Sequence, residues 1–516
     1  MRRKVRRNRT AKPFVLAAPI GGLNGRDPLT NMPPEDAVEL ENWVCDATNV
    51  YTRPGITRKA YLTGFPVESL QVCSDNVQDS LLIFGNGSIY WLPYSYVEGG
   101  TVGPHDLITS FVALATGRTS DDVTGTSFSN AGQQFFFGVS GADTPFTYHN
   151  SGNYTARTIT GISTPNEIYG AHAFKGRLYL SHPDFMGFHY LAVGAVAGAA
   201  SFYDMGPLSV RGGVTQGIAS FSADSGSGMQ DFLVVMSTRG EYFVFEGTDP
   251  ASASTWRLAG RYFHSEPFGR RGWFNYRSDL YIITREGVVS FREIMASGSD
   301  SRGETNITYK LGTFLSDYNG YVDTPGWDAV EWPSKNLLLL NVPASSSITG
   351  DYIQYVMNTD TGAWSKFTGL DALCWVRFKE TILFGRNDGN IYKLDPAALD
   401  DAGTDIVANA RQAYNYMNGG GETPFVDKHI HFGTYTFSNS VSTPTIQTVI
   451  DTTLAGGAVS DSGVLTAAGL QTLTVPYGVT GNLVSPRVQI TLGGTTGPVG
   501  WYSTRFTFSI TENLVL

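Results

Sequence analysis

The sequence predicts a mainly β protein: a β-propeller of about seven blades, with an extended N-terminal arm and a C-terminal β-sandwich-like domain. Three observations carry this. A pattern of apolar run, tight turn and apolar run recurs, with starts near residues 80, 134, 177, 231, 279, 336 and 381, whereas one four-stranded blade needs about 40 to 50 residues. The copies at Leu81 to Trp91 and Ile382 to Tyr392 are nearly the same hairpin, turning at Gly85-Asn86-Gly87 and Asn387-Asp388-Gly389. The chain also has 59 Gly, 30 Phe, 26 Tyr and 9 Trp but only 16% charged residues, a mix that favours short strands and tight turns. Ordinary hairpins in a large sandwich are the competing arrangement.

The elements follow in order. Residues 1–12 form a basic tail with Arg2, Arg3, Lys4, Arg6, Arg7, Arg9 and Lys12, expected to be disordered because like charges repel and nothing is there to bury. Residues 13–60 read as an extended arm: Pro19, Pro28, Pro33 and Pro34, with repeated Gly and Asn, allow one helical turn after Pro34 at most. Residues 61–400 hold the propeller, each hairpin being half a blade. Phe232 to Phe245 is the clearest, followed after Gly247-Thr248-Asp249-Pro250 by an alternating strand from Trp256 to Tyr262. The rhythm stops at Asp395-Pro396, leaving a linker at 401–428. Strands resume from residue 429 to 516, where 17 Thr stand beside only five charged residues, Asp451, Asp461, Arg487, Arg505 and Glu512. An exposed surface normally carries more charge, so this sandwich is expected to face neighbours, or to bind carbohydrate.

The opening from Ala18 to Trp43 with Arg53-Pro54-Gly55, then Gly247-Thr248-Asp249-Pro250 with Trp256 to Arg261, and Tyr355-Val356-Met357-Asn358 with Thr361-Gly362-Ala363-Trp364, resemble segments of tail proteins from short-tailed bacteriophages and related prophages: the tail nozzle, or tail tubular, family. The resemblance spans most of Ala18 to Asp395 and is weak beyond Asp400. It implies a propeller subunit of a six-membered ring below the portal and its adaptor, lining the channel through which DNA leaves. The partners so implied are further copies of the chain, the portal-proximal tail adaptor, and tail spikes or fibres.

Few residues suggest chemistry. Glycoside hydrolysis needs two carboxyl groups about 5 to 10 Å apart, for which Glu241, Glu246 and Asp249 are candidates by proximity. Ser222-Ala223-Asp224-Ser225-Gly226 resembles the start of a sialidase-type Asp-box, once only and with Met229 where Trp is expected. His172, His182 and His189 share one region, and His429 and His431 alternate on one strand face, but neither set has the spaced partners of a metal site. The reading is therefore a structural protein rather than an enzyme, with no cofactor and no metal.

Outside residues 1–12 the chain carries 29 basic and 46 acidic residues, against a net charge of −10 overall. Such a body repels duplex DNA, letting it slide past without sequence-specific binding. The basic tail is expected to dock on an acidic seat of the adaptor. Cys45, Cys73 and Cys374, an unpaired trio, suggest reduced thiols in a protein made in the host cytoplasm. Pro19 and Gly21-Gly22 interrupt Phe14 to Ala18 before it reaches signal-peptide length, and no run is long enough to span a bilayer. The virion tail is the expected location. The alternatives are a peripheral receptor- or glycan-binding tail protein, a glycan-cleaving propeller, and a plug that retains packaged DNA.

Overall fold

The computed structural model describes residues 11–62, 64–74, 79–93, 113–149, 153–224, 229–297, 306–312, 317–347, 350–417, 426–439, 444–454, 458–464, 468–494 and 497–510. Seven antiparallel strand groups follow one another along the described residues, six of them in small sheets and the sixth at one end of a ten-stranded sheet. Their second strands, Asp79–Gly85, Gln133–Val139, Arg177–Ser181, Met229–Ser237, Asp279–Thr284, Leu337–Pro343 and Thr381–Gly385, lie at the seven hairpin positions expected from the sequence. Their first strands are Ser69–Ser74, Thr124–Asn130, Gly170–Phe174, Thr215–Asp224, Trp273–Tyr276, Asp328–Trp332 and Cys374–Phe378. Each first strand packs against the next sheet, and Cys374–Phe378 returns to Ser69–Ser74, which closes a ring of seven blades around one axis.

The apolar runs are continuous because each blade is buried on both faces. Leu81 and Ile83 pack toward the seventh blade, while Leu82 and Phe84 pack toward the second. In the fourth blade Leu233 and Val235 face the third, and Val234 and Met236 face the fifth. Between Asp79–Gly85 and Ser88–Pro93, Asn86 and Gly87 both take positive φ, 57° and 62°, the backbone that a two-residue hairpin turn requires. Among the described residues the fifth blade has three strands, followed by the helix α1, Phe291–Ser297. No helix among the described residues is long and apolar enough to cross a membrane.

Several expected boundaries change. Gly55–Tyr61 is not arm; it is the outer strand of the seventh blade, paired with Asn390–Asp395, so a segment preceding the first blade closes the last. The arm forms strands, Asp36–Glu41, Trp43–Cys45 and Val50–Thr52, and no helical turn follows Pro34, because Asp36 already enters a sheet. The linker at 401–428 is interrupted by a strand, Ile406–Gln412, whose Ile406, Ala408, Ala410 and Gln412 are buried in alternation. The sequence reads Asp405 to Met417 as a short connection of helical or strand character, and the structure forms a strand within it. Lys12 of the basic tail begins a strand, Lys12–Ala17, that pairs with Val499–Ile510; Arg2, Arg3, Lys4, Arg6, Arg7 and Arg9 lie outside the described residues.

The C-terminal sandwich is likewise not built from 429–516 alone. One layer contains Gly469–Gly481, Lys428–Asn439 and Val499–Ile510, completed by Lys12–Ala17, Val50–Thr52 and Trp43–Cys45. The other continues from the sixth blade through Asp36–Glu41 into Ile406–Gln412, Ser485–Leu492, Thr445–Asp451 and Ala458–Val464, a ten-stranded sheet. Ile430, Tyr435 and Phe506 of the first layer meet Ile446, Val488 and Ile490 of the second in one core, which runs on to Trp364 and Tyr355 in the propeller.

Arg53, buried at this seam, fastens it. Its guanidinium donates to Asp401 Oδ1 at 2.8 Å, Asn42 Oδ1 at 2.8 Å and the Thr368 carbonyl at 2.9 Å. Asn42 in turn donates to the Val407 carbonyl at 2.7 Å. Arg53 and Asn42 thus weld the propeller to the sandwich.

Candidate functional site at the head of the propeller axis

Propellers place their polar sites where the first strands converge. Here the residues that enter those strands gather at one end of the axis: Glu68 and Ser69 of the first blade, Asp122 before the second, Arg270 and Arg271 before the fifth, Asp328 at the start of the sixth and Cys374 at the start of the seventh. Arg271 is the hub. Its Nη2 donates to Asp122 Oδ1 and, at 3.1 Å, to Ser69 Oγ, and its Nη1 lies 4.0 Å from Asp328 Oδ2. Arg270 donates to the Ser140 carbonyl at 2.6 Å and approaches Asp122 Oδ2 at 3.8 Å. One guanidinium therefore ties the first, second and sixth blades to the fifth.

Burial opposes ionisation throughout this cluster. It pushes the Glu68 carboxyl up to about 7, assisted by the charges of Asp121 and Asp122 and opposed by Arg271. It pushes Asp328 up to about 6, although Arg271 pulls the other way. Burial also works against the charge of Arg271, but Asp122 and Asp328 outweigh it and hold the guanidinium protonated. The Cys374 thiol is pushed up to about 12 by the same burial, which leaves it unreactive.

Beside the cluster lies a cavity of about 270 Å³ to which all seven first strands contribute, from Gln71 in the first to Val376 in the seventh. Its size is at the lower limit of small-molecule pockets, about 300 Å³, and it cannot admit duplex DNA. His172 lines it; its Nε2 lies 2.9 Å from Ser220 Oγ, and burial pushes its imidazole down to about 4. It is a neutral hydrogen-bonding group at physiological pH.

The carboxylates suggested by the sequence do not converge. Glu241 is buried and accepts hydrogen bonds from the Ser209 hydroxyl and from the N–H groups of Val210 at 2.9 Å and Arg211 at 3.0 Å. Burial would raise its pKa, but these bonds outweigh it and hold the carboxyl below its ordinary value; it pins a loop. Glu246 pairs with Arg257 at the far end of Glu241–Gly247, and Asp249 pairs with Arg177 at 3.2 Å.

His182 has Glu167 at 3.8 Å from Nε2 and Asp184 at 3.8 Å from Nδ1, and one ligand atom from each of the three residues lies within 4.8 Å of the others, near enough to share a metal ion. Its Nδ1 lies 3.3 Å from the Asp184 N–H and its Nε2 lies 3.1 Å from the Thr164 carbonyl, which holds the ring in place. His189 packs against it at 6.2 Å between ring centroids, and burial pushes that imidazole down to about 4. His429 and His431 do share one face, rings 4.8 Å apart, bonded to Thr480 and Ser509 respectively. In the segment resembling an Asp-box, Ser222 bonds to Asp231 at 2.5 Å, and 225–228 lie outside the described residues.

No family model matches the chain and no curated protein matches it. Solved structures similar to it include the computationally designed Ika8 protein, with 11% identity over 66% of this chain and 99% of that one, TM-score 0.35. Raptor from Chaetomium thermophilum has 10% identity over 67% and 29% of the two chains, TM-score 0.40. A glycoside hydrolase family 43 arabinoxylan arabinofuranohydrolase from Bacillus subtilis has 11% identity over 87% and 99%, TM-score 0.24. Likeness this low assigns no chemistry to the axial cluster.

Proposed function

We propose that this chain is a structural virion protein of a short-tailed phage, a tail nozzle subunit that forms a hexameric ring below the tail adaptor and conducts or retains the genome. The observation that carries the reading is a surface suited to being covered. The outer face of the six-stranded sheet presents Thr434, Thr436, Thr472, Thr474, Ser503 and Thr507, a single Arg505, and the exposed apolar side chains of Val15, Phe432 and Leu470, at 59%, 47% and 69% exposure. A protein that works alone gains nothing by exposing such a face on an otherwise acidic body; a subunit of an assembly buries it. The resemblance of residues 18 to 395 to tail nozzle proteins supplies the place.

The axial cavity is too small for DNA, so the conduit in this reading is the hole enclosed by the ring of copies, not the axis of one propeller. The excess of carboxylates keeps that wall repulsive to phosphate. In this reading the chain works without catalysis; Asp122 and Asp328 are engaged by Arg271, and Glu241, Glu246 and Asp249 are each engaged separately.

Electron cryo-microscopy of the particle that carries this chain tests the reading. Six copies on the tail axis below the adaptor are expected. A peripheral position would overturn it and favour the second reading, in which the hydroxyl-rich face, with His429 and His431 at one end, binds host glycan.

A further inference from the structure

The six-stranded sheet has two open edges. At one end Lys12–Ala17 pairs with Val499–Ile510, and at the other Gly469–Gly481 pairs with Lys428–Asn439; among the described residues no strand pairs with the outer side of either. The second edge is unusual. It runs thirteen residues without one charged side chain, where soluble proteins protect an edge by charge, short length or a covering element. Its neighbour at the rim, Ala458–Val464, pairs only with Thr445–Asp451. Pro476 removes one backbone donor and leaves the stretch from 469 to 475 uninterrupted.

We infer that these edges pair between copies, Lys12–Ala17 of one chain adding as a further strand beside 469–475 of the next. The two edges are different surfaces at opposite ends of one sheet, so the contact is head-to-tail, the kind that closes into a ring when the rotation per subunit divides a full turn. Six residues of strand give about 20 Å of ladder. The outward side chains match in kind: Val15 on one edge, and Leu470, Thr472 and Thr474 on the other, are exposed and uncharged on the same face of the sheet. Charge favours a second copy as the occupant. The ten residues preceding strand Lys12–Ala17 carry six cations, whereas the rest of the chain beyond residue 12 has 29 basic against 46 acidic groups, so unlike charges favour one copy beside another. This inference deepens the ring reading by naming its contact, and it replaces the adaptor as the seat of the basic tail.

Disulfide trapping tests it, because Cys45, Cys73 and Cys374 are buried. Val15→Cys is combined separately with Leu470→Cys, Thr472→Cys and Thr474→Cys, in purified protein and in assembled particles. Under mild oxidation at least one pair is expected to give a ladder of dimers, trimers and larger rings that reductant collapses, with no ladder from any single variant. Absence of cross-links from all three pairs in both settings would overturn the inference, as would dimers from Leu470→Cys alone, which would mean that like edges pair. In the Thr472→Lys/Thr474→Lys variant, two charges on the edge should abolish the assembly while circular dichroism and Tm stay unchanged; an unaltered assembly would also overturn it. An axial ring seen by microscopy without cross-links would sink this contact alone, whereas cross-links in a peripheral assembly would sink the conduit reading and leave the contact standing.

Discussion

At the head of the propeller axis, Glu68, Asp122, Arg270, Arg271 and Asp328 crowd together largely out of water, whereas the outer face of the six-stranded sheet lies in solvent with Arg505 as its only Lys, Arg, Asp or Glu among the described residues. Charge sits where hydration is poorest and is missing where hydration is free. In the first region a guanidinium spans strands that share no backbone hydrogen bond, and the low dielectric strengthens that tie while making it costly to break. In the second, hydroxyls such as Thr434 and Thr474, 3.2 Å apart across two strands, cost little to dehydrate against a partner. The difference separates a buried site that ties the blades of one chain together from an exposed surface that is easily dehydrated.

The largest expected effect attacks the first region. Arg271→Met strands Asp122 and Asp328 without their cation and should lower unfolding stability by about 3–5 kcal/mol in urea titration. Adding Asp122→Asn should restore part of it. A loss below about 1 kcal/mol would mean that the cluster ties nothing.

A smaller effect reads the same region through pH. Because the Glu68 carboxyl is raised from 4.5 to about 7 in the fold, the folded state binds its proton more tightly than the unfolded chain does. The stability it contributes is complete below pH 4.5 and is lost as pH rises through 7. Glu68→Gln should therefore raise stability by about 1–3 kcal/mol at pH 8 and change it little at pH 4, giving a flatter Tm profile. Asp328, raised from 3.8 to about 6, acts in the same direction over a lower window. An unchanged slope in the Glu68→Gln variant would place that carboxyl in water.

The smallest effect belongs to the outer face. Thr434→Ala with Thr474→Ala should shift stability of the isolated chain by less than about 0.5 kcal/mol, measured by thermal unfolding. A shift of several kcal/mol would show that the hydroxyl face supports the fold itself, and the contrast between the two regions would disappear.

By itself the sequence determined the seven hairpins and the strands of the sandwich, because both are written locally. Leu81 to Phe84 and Leu233 to Met236 read as strands since every position is buried, alternately against one neighbouring blade and the other. Asn86-Gly87 marked its turn through the backbone it requires. The poverty of charge beyond residue 429 was also legible, and it reappears as the hydroxyl-rich outer face of the six-stranded sheet. What the sequence hid depends on partners far apart in the chain. Gly55–Tyr61 gives no sign that it closes the seventh blade, Arg53 meets Asp401 across 348 residues, and Arg271 meets Asp122 across 149. The acids prominent in sequence, Glu241, Glu246 and Asp249, pointed elsewhere than the cluster the ring assembles. Local patterning fixes which residues become strands because burial acts residue by residue. Only closure of the ring brings seven strand ends to one axis, and it alone decides which charges lose their water together.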